Sequence, residues 1–207
     1  FPELAEVRFA EANYVVGHLG GVIPNDTHWN QLWGMRKIDM PEAWQITTGN
    51  REIVVAVIDS GVDYTHPDLK DNMDNRGYDF YDNNNNPMDE NRHGTHVAGT
   101  VAAVGNNNLG VVGVAWETRI MGIRFLGRSG GGTTAGGINS IRYATQKGVD
   151  MTNNSWGGGG FSEAMYEAIE EARDAGILFV AAAGNDGSSD PGYPARYGNP
   201  GLPGGYE

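Results

Sequence analysis

Beyond residue 50 the chain alternates between two hydrophobic periods, and this alternation constrains its fold more than any other feature of the 207 residues. Short β-branched runs at 53–59, 119–126, 149–155 and 177–182 are separated by amphipathic stretches at 94–104, 136–147 and 162–175. Such a pattern calls for a parallel sheet with helices packed on its faces, an α/β fold. The third helix is the most sharply defined. Ser162 is placed to cap it, Glu163 suits its positive end, Met165, Ala168, Ile169 and Ala172 share one face, and Gly176 ends it. In sheets of this class reactive groups collect in the crevice beyond the carboxyl ends of the strands, so chemistry is sought in the residues that follow each strand.

Charge and composition exclude several functions. Fourteen basic against 26 acidic residues give a net charge of −12, which argues against a nucleic-acid partner. The longest apolar run, 177–183, is far shorter than the roughly 20 residues needed to cross a bilayer, so no membrane partner is expected. With no cysteine, a disulfide framework, a thiol nucleophile and a zinc–thiolate site are all excluded. The length suits one domain with one sizeable core. Three segments read as irregular: 1–24, a strand followed by a loose Gly20-Gly21 linker; 71–92, crowded with Asp and Asn; and the Gly/Pro-rich tail from 184 to 207.

Three polar residues stand where strands end. Asp59 follows a run of apolar residues and precedes Ser60-Gly61, where it reads either as a turn cap or as a buried carboxylate in need of a partner. His93 opens Gly94-Thr-His-Val-Ala-Gly-Thr100, and an imidazole at the positive end of a helix is biased toward the neutral form that a general base requires. A surface or capping histidine is the alternative. Asn185 ends Phe179-Val-Ala-Ala-Ala-Gly-Asn185, where its amide either donates into the crevice or shapes an Asn-Asp-Gly turn. The His93/His96 spacing lacks the i, i+4 pair and glutamate of a zinc helix, so His96 reads as structural. Ser155-Trp156-Gly157 follows another strand, and Gly130-Gly131-Gly132 does not match a dinucleotide fingerprint.

Taken in order, Val57-Ile-Asp59-Ser-Gly-Val-Asp-Tyr-Thr-His-Pro-Asp-Leu69, His93-Gly-Thr-His-Val-Ala-Gly-Thr100 and Ala181-Ala-Ala-Gly-Asn185 resemble the aspartate, histidine and oxyanion-hole blocks of the subtilisin-like serine proteases. The resemblance covers roughly residues 24–197 and is nearest to the calcium-rich, thermitase-like branch. It implies a three-layer αβα, doubly wound, mostly parallel sheet, incomplete at its C-terminus. It further implies a secreted serine endopeptidase acting on protein or peptide substrates through an acyl-enzyme, with Asp59 orienting the imidazole, His93 as base and then acid, and Asn185 stabilising the oxyanion. Gly130, Gly131 and Gly132, with Ser155, Trp156 and Gly157, resemble two strands that sandwich an extended peptide, with Ala182 and Gly184 near the first pocket. For calcium, the likeness implies a tight site from the Asp26 and Asp68 carboxylates, the Asn107 amide and the carbonyls of Val104, Leu109 and Val111. A second site resembles Asp79, Asp82, Asn84, Asn86, Met88 and Asp89.

The same likeness makes residues 1–18 the end of an inhibitory propeptide plus linker, with 19–207 the peptidase domain of a monomer. Arg92 departs from the family by replacing the glycine usual before the histidine. A larger departure is that no Gly-Thr-Ser-Met-Ala block, the setting of the family's nucleophile, occurs before Glu207. The expectation is a serine located beyond residue 207 and a chain inactive alone; the alternative is a non-catalytic calcium- or peptide-binding remnant.

Overall fold

The computed structural model describes residues 20–198. Its frame is one sheet of five strands, β1 (Val54–Asp59), β2 (Met73–Asp79), β3 (Arg119–Arg124), β4 (Met151–Asn154) and β5 (Leu178–Ala181), in the order β2-β3-β1-β4-β5 with every pair parallel. Between them run α3 (His93–Ala102), α4 (Thr134–Lys147) and α5 (Glu163–Asp174), preceded by two short helices, α1 (Trp33–Lys37) and α2 (Met40–Ala43).

Strand β1 sits in the middle, all six of its residues buried, and its alternating side chains feed two cores. Val54, Ala56 and Ile58 pack with Ile141 and Ala144 of α4 and Met165, Ala168, Ile169 and Ala172 of α5. Val55 and Val57 point the other way, toward Ala98 and Ala102 of α3. Helices therefore cover both faces, the three-layer arrangement expected from the sequence. A third cluster joins the amino-terminal segment to the body, where Trp44 lies between Trp29 and Trp116 at ring-centroid distances of 5.7 and 4.8 Å and its indole N–H donates to the Val114 carbonyl.

Helix α5 takes the predicted form. The Ser162 hydroxyl accepts from the Met165 N–H, the four predicted apolar residues are buried, and Gly176 turns out of the helix at φ +78°. The structure corrects one expectation: the stretch 71–92 is not irregular throughout, because it contains β2. That strand lacks an apolar period since two of its inward residues, Asp74 and Asp79, are charged, and each is matched by arginine, Asp74 by Arg76 and Arg119 and Asp79 by Arg124. The propeptide and linker predicted at 1–18 lie outside the described residues.

Candidate active site

The strand period decides where Asp59 points. As the third residue of the Val55, Val57, Asp59 series it faces the α3 side of the sheet, and α3 begins at His93. The His93 Nδ1 and Asp59 Oδ1 atoms are 2.7 Å apart, with Asp59 wholly buried and the imidazole about half exposed. An ionised carboxylate only accepts, so Nδ1 carries the proton and Nε2 remains as an acceptor open to a reacting group. Burial pushes the Asp59 carboxyl above its ordinary 3.8, while the His93 hydrogen bond and the Ser60 N–H pull it down. Its Oδ2 is buried without a partner, so the carboxylate depends on the imidazole for most of its compensation.

Close approach of the two elements requires glycine. A Cβ on Gly94 would collide with the Gly61 carbonyl and crowd the Asp59 Cβ, and Gly61 itself adopts φ +99°. Arg92, the residue in the usual glycine position, takes a left-handed φ of +89°, yet its carbonyl still accepts from the His96 N–H to start the helix. His96 is exposed on α3.

Next to the pair lies a cavity of about 530 Å³. Asp59 and His93 form part of its wall, and so do the predicted Gly130, Gly131, Gly132, Ser155, Trp156 and Gly157. The glycines are there for steric reasons: Gly130 has φ +82°, and a Cβ on Gly132 would press on the Phe125 carbonyl at 2.5 Å. Trp156 packs edge-on against Phe125, and the Ser155 hydroxyl accepts from the Asn153 amide at 2.8 Å, the behaviour of a turn serine. Ala182, Gly184 and Asn185 stand apart from this wall, exposed on the loop that leaves β5. They lie at the same carboxyl edge of the sheet, two strand spacings, or about 10 Å, from β1. Sequence reasoning passed over Asn91 and Tyr193, which also line the cavity.

The two acidic sets behave differently. Asp26 and Asp68 are both buried and brought together, so that burial and the neighbouring carboxylate raise the Asp26 carboxyl above its ordinary 3.8 while backbone N–H groups oppose them. Asp26 Oδ2 accepts from the Asn106 N–H, but Oδ1 is buried with no donor. Asp68 receives the Asn107 amide and the Val111 N–H, and the Asn107 carbonyl oxygen receives the Leu109 N–H. An orphaned carboxylate oxygen beside a second buried carboxylate fits a hard cation. Among the described residues no three acidic or imidazole side chains converge as a metal cage, so carbonyls and the amide would supply most ligands.

The second set does not fit one. Asp79 and Asp82 each meet the Arg124 guanidinium at 2.9 Å, and Glu90 meets it at 2.8 Å. Asp79 Oδ1 also accepts the Tyr81 and Asp82 N–H groups, the Asn84 amide oxygen accepts the Asn86 N–H, the Asn86 oxygen takes the Tyr64 hydroxyl, and Asp89 is filled by donors. Of the expected calcium ligands Asp79, Asp82, Asn84, Asn86, Met88 and Asp89, the first two are thus neutralised by an internal cation, Arg124, which the sequence alone did not single out, while Asn84, Asn86 and Asp89 are engaged by N–H and hydroxyl donors.

A buried Asp–His pair at the ends of β1 and α3 beside a glycine-walled cleft coincides with a family match: the subtilase family model covers residues 50–201. This chain belongs to the subtilase family. Its relatives include a thermophilic serine proteinase of Bacillus sp. (strain AK1), 43% identical over 93% of this chain and 48% of that protein, and thermitase of Thermoactinomyces vulgaris, 40% identical over 85% of this chain and 63% of that protein. Among solved structures, a protease from Pseudoalteromonas arctica PAMC 21717 superposes with a TM-score of 0.73 at 33% identity, covering 80% of this chain and 60% of that one. The subtilase chain described here therefore spans about half to three-fifths of the length of these relatives.

Proposed function

We propose that this subtilase chain carries the acid–base pair and the substrate cleft of a secreted serine endopeptidase that hydrolyses peptide bonds through an acyl-enzyme. One observation carries the reading: the 2.7 Å contact between buried Asp59 and half-exposed His93 at the mouth of the cleft. Nε2 of His93 takes the proton of a serine hydroxyl and returns it to the leaving amine, while Asp59 fixes the tautomer and stabilises the imidazolium. Burial supports this role, because a carboxylate without enough donors gains most when its partner becomes a cation. Asn185 donates to the oxyanion, and the serine lies in sequence beyond Glu207, in keeping with the greater length of the relatives. Gly130–Gly132 and Ser155–Gly157 bind the peptide backbone, with Ala182 and Gly184 beside the first pocket.

Calcium belongs to the same proposal at the first site only. Asp26, Asp68, Asn107 and the carbonyls of Val104, Leu109 and Val111 would hold it, and bound there it would neutralise two buried carboxylates. A propeptide ending near residue 18 acts as inhibitor, and the enzyme works as a monomer outside the cell. None of the described helices is long and apolar enough to cross a membrane.

The test is peptide hydrolysis by the full-length protein. Substituting His93→Ala should abolish turnover while calcium binding survives; turnover that persists would refute the assignment. A full-length protein that binds peptide without cutting it would make this a binding module instead.

A further inference from the structure

The start of α3 is satisfied by residues outside the helix, and those residues also hold the end of β1. Three of its first N–H groups have side-chain acceptors: His93 on the Asn91 amide oxygen at 3.3 Å, Gly94 on the Ser60 hydroxyl at 3.0 Å, and Thr95 on Asp89 Oδ2 at 2.9 Å. The Thr95 hydroxyl donates to the same Oδ2 at 2.6 Å and in turn accepts the Asp63 N–H at 2.9 Å. Asp89 Oδ1 takes the Asn91 and Arg92 N–H groups at 2.8 and 2.9 Å, fixing the turn whose last residue has the left-handed conformation. The same oxygen accepts the Ser60 hydroxyl at 2.9 Å.

One carboxylate thus receives five donors from both sides of the Asp59–His93 contact. Ser60 is the residue after Asp59, and its hydroxyl spans the gap by donating to Asp89 and accepting from Gly94. We infer that Asp89 is a positioning residue for the Asp59–His93 pair, clamping the end of β1 through Ser60 and the start of α3 through Thr95 so that the two side chains meet in one geometry. This rests on the reading of Asp59 and His93 as the acid–base pair. Both oxygens of Asp89 are already engaged by donors. Its carboxyl is held below the ordinary 3.8 in spite of burial, because the Thr95 and turn donors require the ionised form. The alternative role, a plain helix cap, would need only the Thr95 bonds. Nothing in capping calls for the bridge to Ser60, which leads to the neighbouring strand.

Replacing Ser60 separates the two roles, because Ser60→Ala leaves Asp89 on Thr95 and removes both bonds of the hydroxyl that spans the gap, the one to Asp89 and the one from Gly94. In the full-length protein this change should lower kcat by about ten-fold or more with KM within about two-fold, since a displacement near 1 Å can cost about a hundred-fold in rate and a fraction of it correspondingly less. The downfield imidazole proton of His93, read by NMR and needing no turnover, should weaken or shift. Asp89→Asn, which opposes an amide to the Thr95 N–H, should do the same more strongly. A Ser60→Ala protein with a lower melting temperature but unchanged kcat and unchanged imidazole proton would reduce Asp89 to a cap and overturn the inference. Hydrolysis that survives His93→Ala would instead bring down the acid–base reading and the inference with it, a result distinguishable because the parent protein then works without the imidazole.

Discussion

Arg124 shows how much one residue can decide here. Its guanidinium is 5% exposed and serves Asp79, which is wholly buried, together with the half-exposed Asp82 and Glu90. Only the Asp79 bond is formed out of water, and removing one member of such a pair leaves an uncompensated charge. Arg124→Ala should therefore destabilise the protein by about 3–5 kcal/mol in denaturant unfolding. Adding calcium to that variant tests whether the vacated loop then takes a metal; the unaltered loop should gain nothing from the ion there. In the amino-acid sequence Asp79, Asp82 and Asp89 look alike, carboxylates in an Asn-rich loop. A carboxylate with an orphaned buried oxygen, such as Asp26, one that faces arginine and one that collects N–H donors differ only in their three-dimensional neighbours. Asp59 and His93 were legible because each stands at the boundary of an element that periodicity reveals, whereas the roles of Ser60 and Asp89 depend on two boundaries meeting.

At the scale of elements the same contrast separates β1 from β2. Strand β1 announces itself by the unbroken apolar run Val54–Ile58, and α5 by its cap and its single buried face. Strand β2 hides because Asp74 takes an inward place that a valine would normally hold, and α1 and α2, at five and four residues, are too short to display a period. The charged strand carries a pH dependence. Burial favours the neutral form of Asp74, but Arg76 and Arg119 outweigh it and hold the carboxyl below its ordinary 3.8. A lowered folded value means that this contribution to stability is present above 3.8 and is lost as the pH falls through the folded value. Asp26 and Asp59, raised by burial, run the opposite way: their share is present below 3.8 and lost as the pH rises through their folded values. Comparing Asp74→Asn with the parent isolates the first effect. The variant should be less stable at neutral pH, and the difference should close on acidification below 3.8, as followed by thermal melting.

Across the whole molecule, the amino-terminal segment is tied down by a loop far along the chain. Asp26 accepts from the Asn106 N–H, Asn25 from Asn108, and the His28 N–H donates to the Gly110 carbonyl, all beside the buried pair Asp26 and Asp68. Calcium at a hundred times its dissociation constant should add about 2.7 kcal/mol to stability. A chelator should lower the melting temperature and open the 20–44 segment to proteases, and Asp26→Asn should remove most of that calcium response. A melting curve indifferent to calcium would discard the site.

The order of the strands bears on how the chain comes into being. Val54 pairs with Arg119 on one side and Val55 with Met151 on the other, so the central strand is synthesised long before either neighbour exists. At ribosomal speeds of about 5–20 residues per second, the hydrogen-bonding edges of that strand wait roughly 3–13 s for β3 and roughly 5–19 s for β4. A holdase present during synthesis should therefore raise the soluble yield of such a chain, as checked by expression with and without the chaperone.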